Sequence, residues 1–407
     1  MTSSTKIFNI LVLDTGREWG GGTNSLLELL KRIDRNRYKF SVLFYNNYKK
    51  GTDSDIKTEI EKLGINFLLL RQRRQPLIAK MLKEPSRLVF FFSKKLRKHS
   101  VFSVDYHFRI KPNAERISGI LKDFKIDLLY MNNQPSSNLE CIIASEMTGI
   151  PALQHSRIQT TLNPFEVKAA IRSLYKIICV SEGVKNGLVN QGISPSKCIV
   201  IYNGIDPDIK PSLSRDEVMK KWGVSDNDIL IGTAGSFIKR KRFEDLIKAI
   251  STASNKTRHR IKCIIVGEGP ERNNLIEDAK RERLDGKVIF TGFQPDAISL
   301  INAMDIFVLP SEKEGFPRVI LEAMLMGKPV IASNVTGSSE LVVNGETGFL
   351  VTAGEPKMLA DAILKLIEMP ELRKQMGEKA RERVIRNFSV DRYVSAVENV
   401  FAEVSGH

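Results

Sequence analysis

The chain has 407 residues, of which 42% are hydrophobic and 27% are charged, as is typical of a globular protein. This length is too great for one ordinary core, so we expect two domains. No apolar run approaches the roughly 18 residues of a membrane span, and residues 7–13 are too few and too interrupted for a secretory signal. We therefore expect a cytoplasmic protein. The scattered cysteines lack metal-ligand spacing and favour buried free thiols over a zinc site.

The charge is strongly basic and unevenly placed. Lys and Arg outnumber Asp and Glu by 62 to 47, a formal net charge of +15 that points to an acidic partner. Residues 71–111 carry most of this excess, with apolar residues recurring at helical spacing through a break at Pro85. Such a basic amphipathic segment predicts docking on an anionic membrane; the alternative is an apolar stripe packed on the domain with solvated lysines. No RRM, helix-turn-helix or zinc signature accompanies the charge, so we expect no nucleic-acid partner.

Strands and helices alternate from the start of the chain. Residues 6–13 predict a buried strand, and 25–33 a helix. Between them, Gly20, Gly21 and Gly22 predict a loop whose backbone can approach a ligand closely, although a plain tight turn explains these glycines equally well. The alternation predicts a doubly wound parallel sheet, and it continues through residues 40–44, 55–63, 65–70, 126–131 and 151–154.

The strand at 151–154 delivers His155 at its carboxyl end. A lone histidine is often structural, but open parallel sheets bind ligands beyond the carboxyl ends of their strands. Further on, Asn203 and Gly204 precede a proline-bearing linker at 207–211. We therefore predict a first domain over 1–205 and a second over 206–387, followed by a final helix over 388–407.

The second domain begins with a strand at 229–235 and a basic loop at 236–242. Later, the strand 305–309 runs into a loop with Glu314, and Pro317 predicts the start of a helix that carries Glu322. The unpaired N–H groups and the dipole at such a helix start suit a diphosphate. An ordinary strand-loop-helix, with the glutamates as a solvated cap and a surface ion pair, is the alternative.

The segments 314–316, 322–324 and 327–330 resemble the nucleotide-sugar signature of the retaining family-four glycosyltransferases. Residues 331–351 are similar to the segment that follows it in that family. The resemblance covers nearly the whole chain and implies the α/β class and the GT-B fold, two Rossmann-like parallel-sheet domains facing across a cleft. It also implies a donor bound in the C-terminal half, an acceptor in the N-terminal half, and a final helix, 388–407, that crosses back onto the first domain.

The resemblance assigns roles at the donor. Glu322 would accept hydrogen bonds from the ribose, Glu314 would hold sugar hydroxyls, and Lys241 would offer charge to the diphosphate. Ser236 stands where the family commonly has an arginine, which leaves Lys239 and Arg240 as candidate replacements. The remaining donor contacts would come from the helix start and from the turn near the nucleotide base: Phe316, Pro317, Arg318, Val319, Gly267 and Gly269.

In the other half, His155 would face the transferred sugar, and Gly20, Gly21 and Gly22 would lie near the donor phosphate and the acceptor. We expect Glu314, His155 and Lys241 to be the catalytic residues. The resemblance implies retention without a metal or cofactor. A UDP-sugar is favoured over a GDP-sugar.

The expected acceptor is lipid-linked or a saccharide, in bacterial lipopolysaccharide, capsule or exopolysaccharide assembly at the inner face of the plasma membrane. A glycoside phosphorylase, a sugar-phosphate synthase and an inactive nucleotide-binding subunit remain alternatives.

Overall fold

The computed structural model describes residues 7–16, 19–51, 54–73, 75–89 and 91–406. The predicted domains and the basic segment extend onto residues outside this description: residues 1–6, Arg74 and His407, and the side chains of Arg87, Lys94, Lys95 and Lys98.

The strands form two large parallel sheets, as predicted, and one small antiparallel pair. In chain order they are β1 (Phe8–Asp14), β2 (Tyr38–Phe44), β3 (Lys49–Lys50), β4 (Ser54–Asp55), β5 (Asn66–Leu69), β6 (Leu128–Asn132), β7 (Ala152–Ser156), β8 (Leu174–Cys179), β9 (Cys198–Val200), β10 (Asp228–Ala234), β11 (Arg260–Val266), β12 (Val288–Gly292), β13 (Ile306–Leu309), β14 (Val330–Ser333) and β15 (Gly348–Val351).

Helices cover the faces of both sheets. They are α1 (Gly21–Arg32), α2 (Ile56–Glu61), α3 (Leu77–Val89), α4 (Lys94–Asp105), α5 (Lys111–Asp123), α6 (Leu139–Thr148), α7 (Pro164–Ser173), α8 (Glu182–Val189), α9 (Arg215–Trp222), α10 (Phe243–Lys256), α11 (Arg272–Arg281), α12 (Ala297–Ala303), α13 (Arg318–Leu325), α14 (Ser338–Leu341), α15 (Pro356–Glu368), α16 (Pro370–Asn387) and α17 (Val390–Ser405). None of them, in the part of the chain described, is long and apolar enough to cross a membrane.

The first sheet has seven strands in the order β5-β2-β1-β6-β7-β8-β9, and the second has six in the order β12-β11-β10-β13-β14-β15. Both faces of each sheet are covered, so the central strands are nearly continuous apolar runs. In β13, for example, every residue from Ile306 to Leu309 is fully buried. The predicted fold class is confirmed, and all four cysteines are buried and free.

The last helix returns to the first domain. Ile205 pairs with Ser389 where the two crossing segments meet. From there α17 packs on α1, and Phe401 lies between Tyr38 and Tyr130 with ring centroids 5.6 and 5.3 Å away. The core of the first sheet therefore includes residues from the C-terminal end of the chain.

Two predicted boundaries need correction. The helix expected to start at residue 25 begins at Gly21, because Gly20 takes an extended conformation as its N-cap; the glycines are the start of a helix and not a free loop. In addition, Pro317 is the N-cap of α13 and Arg318 is its first residue.

The basic segment also differs from its prediction. The expected break at Pro85 is absent, since α3 runs through it. Proline has no backbone N–H, so the carbonyl four residues before Pro85 receives no helical hydrogen bond from it. That carbonyl belongs to Met81, which is exposed. The apolar stripe does not pack on the domain: Ala79 is buried, but the larger apolar residues are exposed, among them Leu77, Ile78, Met81, Leu88, Val89, Phe91 and Leu96.

Candidate active site

Lys241 and Glu314 form a buried ion pair at the carboxyl edge of the second sheet. Lys241 ends a turn, Lys239–Lys241, in the loop after β10, and Glu314 lies in the loop after β13. These strands are parallel neighbours, so the two loops meet at one edge. Lys241 Nζ donates to Glu314 Oε1 at 2.6 Å, and the two residues are only 9% and 6% exposed. Burial raises the pKa of Glu314, but the charges of Lys241 and Arg240 outweigh it and lower the pKa overall, so the carboxylate is ionised at neutral pH.

Arg240 is a second cation beside the same carboxylate. Its Nη1 lies 3.6 Å from Glu314 Oε2 and donates to the carbonyl of Lys313 at 3.0 Å. Ser236 is half-buried farther back in the loop, and Lys239 is exposed. Of the two candidate replacements for the family arginine, the structure therefore brings Arg240 to the site.

Glu322 lies just over one turn into α13, with its Oε1 4.0 Å from Nε of Arg318. Burial raises the pKa of Glu322, although the charge of Arg318 opposes this. Arg318 is itself buried; its Nη1 donates to the carbonyl of Gly204 at 2.9 Å, and its Nε has no hydrogen-bond partner among the described residues. Arg318, which was predicted to contact the donor from the start of the helix, thus supplies a buried cationic side chain as well as its backbone N–H group.

The predicted glycines of the first domain meet this cation. A Cβ atom built on Gly21 would lie 3.7 Å from Cδ of Arg318, and one built on Gly22 would lie 3.7 Å from Cγ of Arg157. The N-cap, Gly20, leaves the first turn of α1 without a side-chain cap. The unpaired N–H groups of α1 and two arginines therefore share one part of the cleft, an arrangement that suits an anionic group.

His155 lies deeper than the sequence suggested. The strand β7 extends to Ser156, so His155 is held inside the sheet between β6 and β8. Its imidazole is fully buried, with Nδ1 2.5 Å from the hydroxyl of Tyr130 and the ring of Tyr393 6.2 Å away. Burial and the charge of Arg157 lower its pKa, so the ring is neutral. His155 is thus the next-to-last residue of its strand, near the predicted carboxyl end but fully buried, and a contact with the sugar stays a prediction.

A polar network that sequence reasoning missed lies beside His155. Asp14, at the end of β1, is buried and accepts hydrogen bonds from Nδ2 of Asn132 at 2.5 Å and of Asn133 at 2.7 Å. Oδ1 of Asn132 in turn accepts from Nε of Arg157 at 2.7 Å. Burial raises the pKa of Asp14, against the hydrogen bonds from these two asparagines. Each of these residues ends or follows a strand, which is the signal that would have found them.

Arg157 carries this network across to the second domain. Its Nη1 donates to Oδ1 of Asn203 at 2.8 Å, and Nδ2 of Asn203 donates to the carbonyl of Phe316 at 3.1 Å. Its Nη2 donates to the hydroxyl of Tyr393 at 3.3 Å. The loop that carries Glu314 is therefore tied through two side chains to the first sheet.

The domains also touch directly. A Cβ atom built on Gly315 would lie 1.9 Å from the carbonyl oxygen of Arg157, so only glycine fits at this approach. On the same side of the cleft, Glu340 accepts from the backbone N–H groups of Glu182 and Gly183 at 2.8 and 3.0 Å, at the N-terminus of α8. The site is thus built from both domains.

Gly267 and Gly269 shape the neighbouring loop through their backbones. Both have positive φ, and added Cβ atoms would lie 2.0 Å from the carbonyl oxygen of Gly235 and 2.5 Å from that of Phe237. They let the loop after β11 pack on the loop that carries Lys241. No cluster of three or more His, Cys, Asp or Glu side chains suited to a metal ion occurs within the described ranges.

Two facing parallel sheets, a buried Lys–Glu pair at a strand edge and a glutamate in the following helix define a glycosyltransferase of the GT-B fold. The chain belongs to the family-four, group 1 glycosyltransferases: the family described as Glycosyltransferase Family 4 matches residues 19–209, and Glycosyl transferases group 1 matches residues 214–383.

Curated proteins and solved structures agree with this assignment. The chain is 28% identical over 330 residues to N-acetyl-alpha-D-glucosaminyl L-malate synthase of Bacillus anthracis, covering 78% of this chain and 84% of that protein. It is 33% identical over 229 residues to the capsular polysaccharide biosynthesis glycosyltransferase CapM of Staphylococcus aureus, covering 54% and 60%. The structure of Anabaena Alr3699/HepE in complex with UDP-glucose aligns with a TM-score of 0.77 at 25% identity, covering 97% of this chain and 99% of that one.

Proposed function

We propose that this glycosyltransferase moves a sugar from a UDP-sugar, with retention, to a membrane-associated or polysaccharide acceptor in bacterial surface-glycan assembly. The observation that carries this proposal is the buried Lys241–Glu314 pair at the sheet edge, with Glu314 in the loop that leads into the helix of Glu322. An ionised carboxylate held by a cation at the carboxyl edge of a sheet is poised to bind hydroxyls next to a phosphate.

In the proposed donor complex, Glu322 accepts hydrogen bonds from the ribose hydroxyls and Glu314 from hydroxyls of the transferred sugar. Lys241 can keep its bond to Glu314 and still reach the diphosphate, because an ammonium has three N–H donors. Arg240 takes the role of the arginine that the family commonly has at the position of Ser236. Arg318 adds a buried guanidinium whose Nε lies 4.0 Å from Glu322 and has no hydrogen-bond partner among the described residues.

The chemistry then depends on neutralising the leaving diphosphate. As the bond from the sugar C1 to the diphosphate oxygen breaks, negative charge accumulates on the phosphates, and the cations and the N-terminus of α13 stabilise it. The acceptor hydroxyl attacks C1 on the face that the diphosphate leaves, which retains the configuration. Its proton passes to the departing phosphate oxygen, so no side chain has to form a covalent intermediate.

The relatives support the donor and the acceptor class. The Anabaena protein was solved with UDP-glucose, which favours uridine. The chain is 24% identical, over 70% of its length, to an Escherichia coli enzyme named UDP-Gal:alpha-D-GlcNAc-diphosphoundecaprenol alpha-1,3-galactosyltransferase, whose name gives it a lipid-linked acceptor. CapM of Staphylococcus aureus supports a setting in capsule synthesis.

Equilibrium binding tests the donor assignment. UDP, GDP, ADP and their sugars would be titrated without metal into the wild type and into Glu322→Ala. Selective binding of UDP and one UDP-sugar, weakened by the substitution, is the expected result. Binding of no nucleotide would contradict the proposal, and release of sugar phosphate from a glycoside and inorganic phosphate would instead favour a phosphorylase.

We also propose that the basic segment docks on an anionic membrane surface. Exposed Ile78 and Met81 lie within two residues of exposed Lys80, and exposed Leu96 is next to exposed Arg97. Apolar insertion and attraction to anionic lipid act together in such segments.

Cosedimentation with anionic and neutral liposomes tests this surface. Wild type should bind the anionic vesicles at low salt, and Ile78→Glu with Met81→Glu should not. Met369→Glu, at an exposed methionine of the other domain, is the matched control. Equal binding of anionic vesicles by all three proteins, or no binding by the wild type, would contradict membrane docking by this segment.

A further inference from the structure

A polar cavity of about 410 Å³ opens at the carboxyl edge of the first sheet, apart from the donor residues. Thr15, Tyr45 and Ser136 line it in the segments that follow β1, β2 and β6, and Arg109 lines it from the π-helical segment Tyr106–Ile110 between α4 and α5. Since parallel sheets bind ligands at this edge, the cavity lies where an acceptor would enter the cleft. Its volume is in the range of small-ligand sites.

A buried carboxylate forms part of the cavity wall. Glu140 is 3% exposed and accepts hydrogen bonds from the hydroxyl of Tyr45 at 3.2 Å and from Nε2 of Gln72 at 2.5 Å. It lies in the first turn of α6, where the helix dipole favours a negative charge. Two further carboxylates line the wall: Asp105 is paired with Lys83 at 2.5 Å, and Glu166 accepts from the backbone N–H of Asn163 at 2.8 Å. A carboxylate fixed in this way, in a wall that also carries amide and hydroxyl groups and the cation Arg109, is suited to bind the hydroxyls of a sugar.

An apolar groove adjoins the cavity. It has a volume of about 460 Å³ and is lined by Val101, Phe102, Pro164 and Phe165. The rings of Phe102 and Phe165 are stacked 3.8 Å apart, which joins α4 to α7. Phe102, Asp105 and Asn163 line both the cavity and the groove. One ligand can therefore occupy both at once.

We infer that the acceptor is an amphiphilic glycoside, with its hydroxyl-rich sugar in the cavity against Glu140 and an apolar chain along the groove. This inference rests on the proposed function, because it names the acceptor class of the same enzyme. A sugar alone leaves the groove empty, and a free alkyl chain leaves the polar wall unpaired. The occupant that matches both surfaces is a sugar joined to a hydrocarbon chain.

Calorimetric titration of the full chain tests this inference with defined probes. The probes are the n-octyl glycosides of glucose, galactose and N-acetylglucosamine below their micelle concentrations, the matching methyl glycosides, and n-octanol. At least one octyl glycoside should bind about tenfold or more tightly than both its methyl glycoside and octanol, since burial of each methylene adds to binding.

Two substitutions assign the halves of the ligand. Val101→Trp should fill the groove and abolish the advantage of the octyl over the methyl glycoside, whereas Ile385→Trp, at an exposed position on α16, should not. Glu140→Gln should weaken both glycosides about tenfold, the cost of losing hydrogen bonds to a charged group.

UDP is titrated into each variant to separate the two proposals. Unchanged UDP binding in Val101→Trp and Glu140→Gln shows that the donor site is intact. If the wild type does not bind UDP, the result contradicts the proposed function and leaves the acceptor inference to the glycoside titrations. No binding of any octyl glycoside, or the same octyl affinity in Val101→Trp as in wild type, would overturn the amphiphilic acceptor.

Discussion

The ammonium of Lys241 lies 2.6 Å from a carboxylate oxygen of Glu314, although 73 positions separate the two residues in the chain. The pair brings the loops after β10 and β13 together and leaves an ionised carboxylate beside two cations. It therefore links the packing of the second domain to the charge of the donor site.

Substitution of the donor residues should abolish most activity. We expect Lys241→Ala and Glu322→Ala each to lower turnover about 100-fold or more, since loss of a charge contact to the transition state costs several kcal/mol. Sugar transfer from UDP-sugars would be measured with saturating acceptor. Glu312→Ala removes an exposed carboxylate from the loop between β13 and α13 and serves as the control. Near-normal turnover in both variants would refute the site assignment.

Glu314 should make stability depend on pH. Its pKa lies below the ordinary value of 4.5, so its ionised form stabilises the folded state above that pH, and this contribution is lost as the pH falls through the folded-state pKa. The difference in unfolding free energy between wild type and Glu314→Gln should be constant at higher pH and shrink below about pH 4.5. Urea denaturation at several pH values measures it. A difference that grows in acid would contradict the prediction.

Gly315→Ala should force the domains apart. The new methyl group would lie 1.9 Å from the carbonyl oxygen of Arg157. Because the nearest atoms belong to the backbone of Arg157 and Ile158, the distance between the two chain segments has to increase. We expect weaker UDP binding and a larger radius of gyration by small-angle X-ray scattering. Gly119→Ala is the control, because nothing lies within 4 Å of its Cβ position. Unchanged scattering and binding would mean that the domain contact is dispensable.

Arg157 and Asn203 should be energetically coupled. Their hydrogen bond spans 2.8 Å, and one partner is charged, so we expect a coupling free energy of about 1.5–3 kcal/mol in a double-mutant cycle. Unfolding of Arg157→Ala, Asn203→Ala and the double variant provides the values. Additive effects of the two substitutions would show that this link contributes no stability.

The fold was predictable because each strand carries its own signal. Runs such as residues 263–266 and 306–309 are apolar throughout, and the loops after them contain glycines and prolines that end elements. The candidate donor residues were proposed for a related reason: Glu314 and Glu322 belong to one contiguous segment whose pattern resembles a known signature. Lys241 was identified by its spacing within a single loop.

The position of His155 and the Arg157 network were not predictable in this way. They depend on Tyr393 and Asn203, which reach the first sheet from distant parts of the chain. No local pattern indicates that Tyr393 of α17 lies near His155, and none indicates a helical start at Gly21. The apolar residues of α3 recur at helical spacing, which is compatible with a face packed on the domain and with a face exposed to solvent. Only the tertiary structure shows that this face is exposed.

The return of α17 to the first domain sets the order in which the protein matures during synthesis. Chains emerge from the ribosome N-terminus first, and domains generally fold as they appear. Here the first domain to emerge waits for Val397 and Phe401, which are buried in its core, while the second domain already has all of its strands. The domain translated first is therefore the one completed last, and loss of the C-terminal helix would harm the opposite end of the protein.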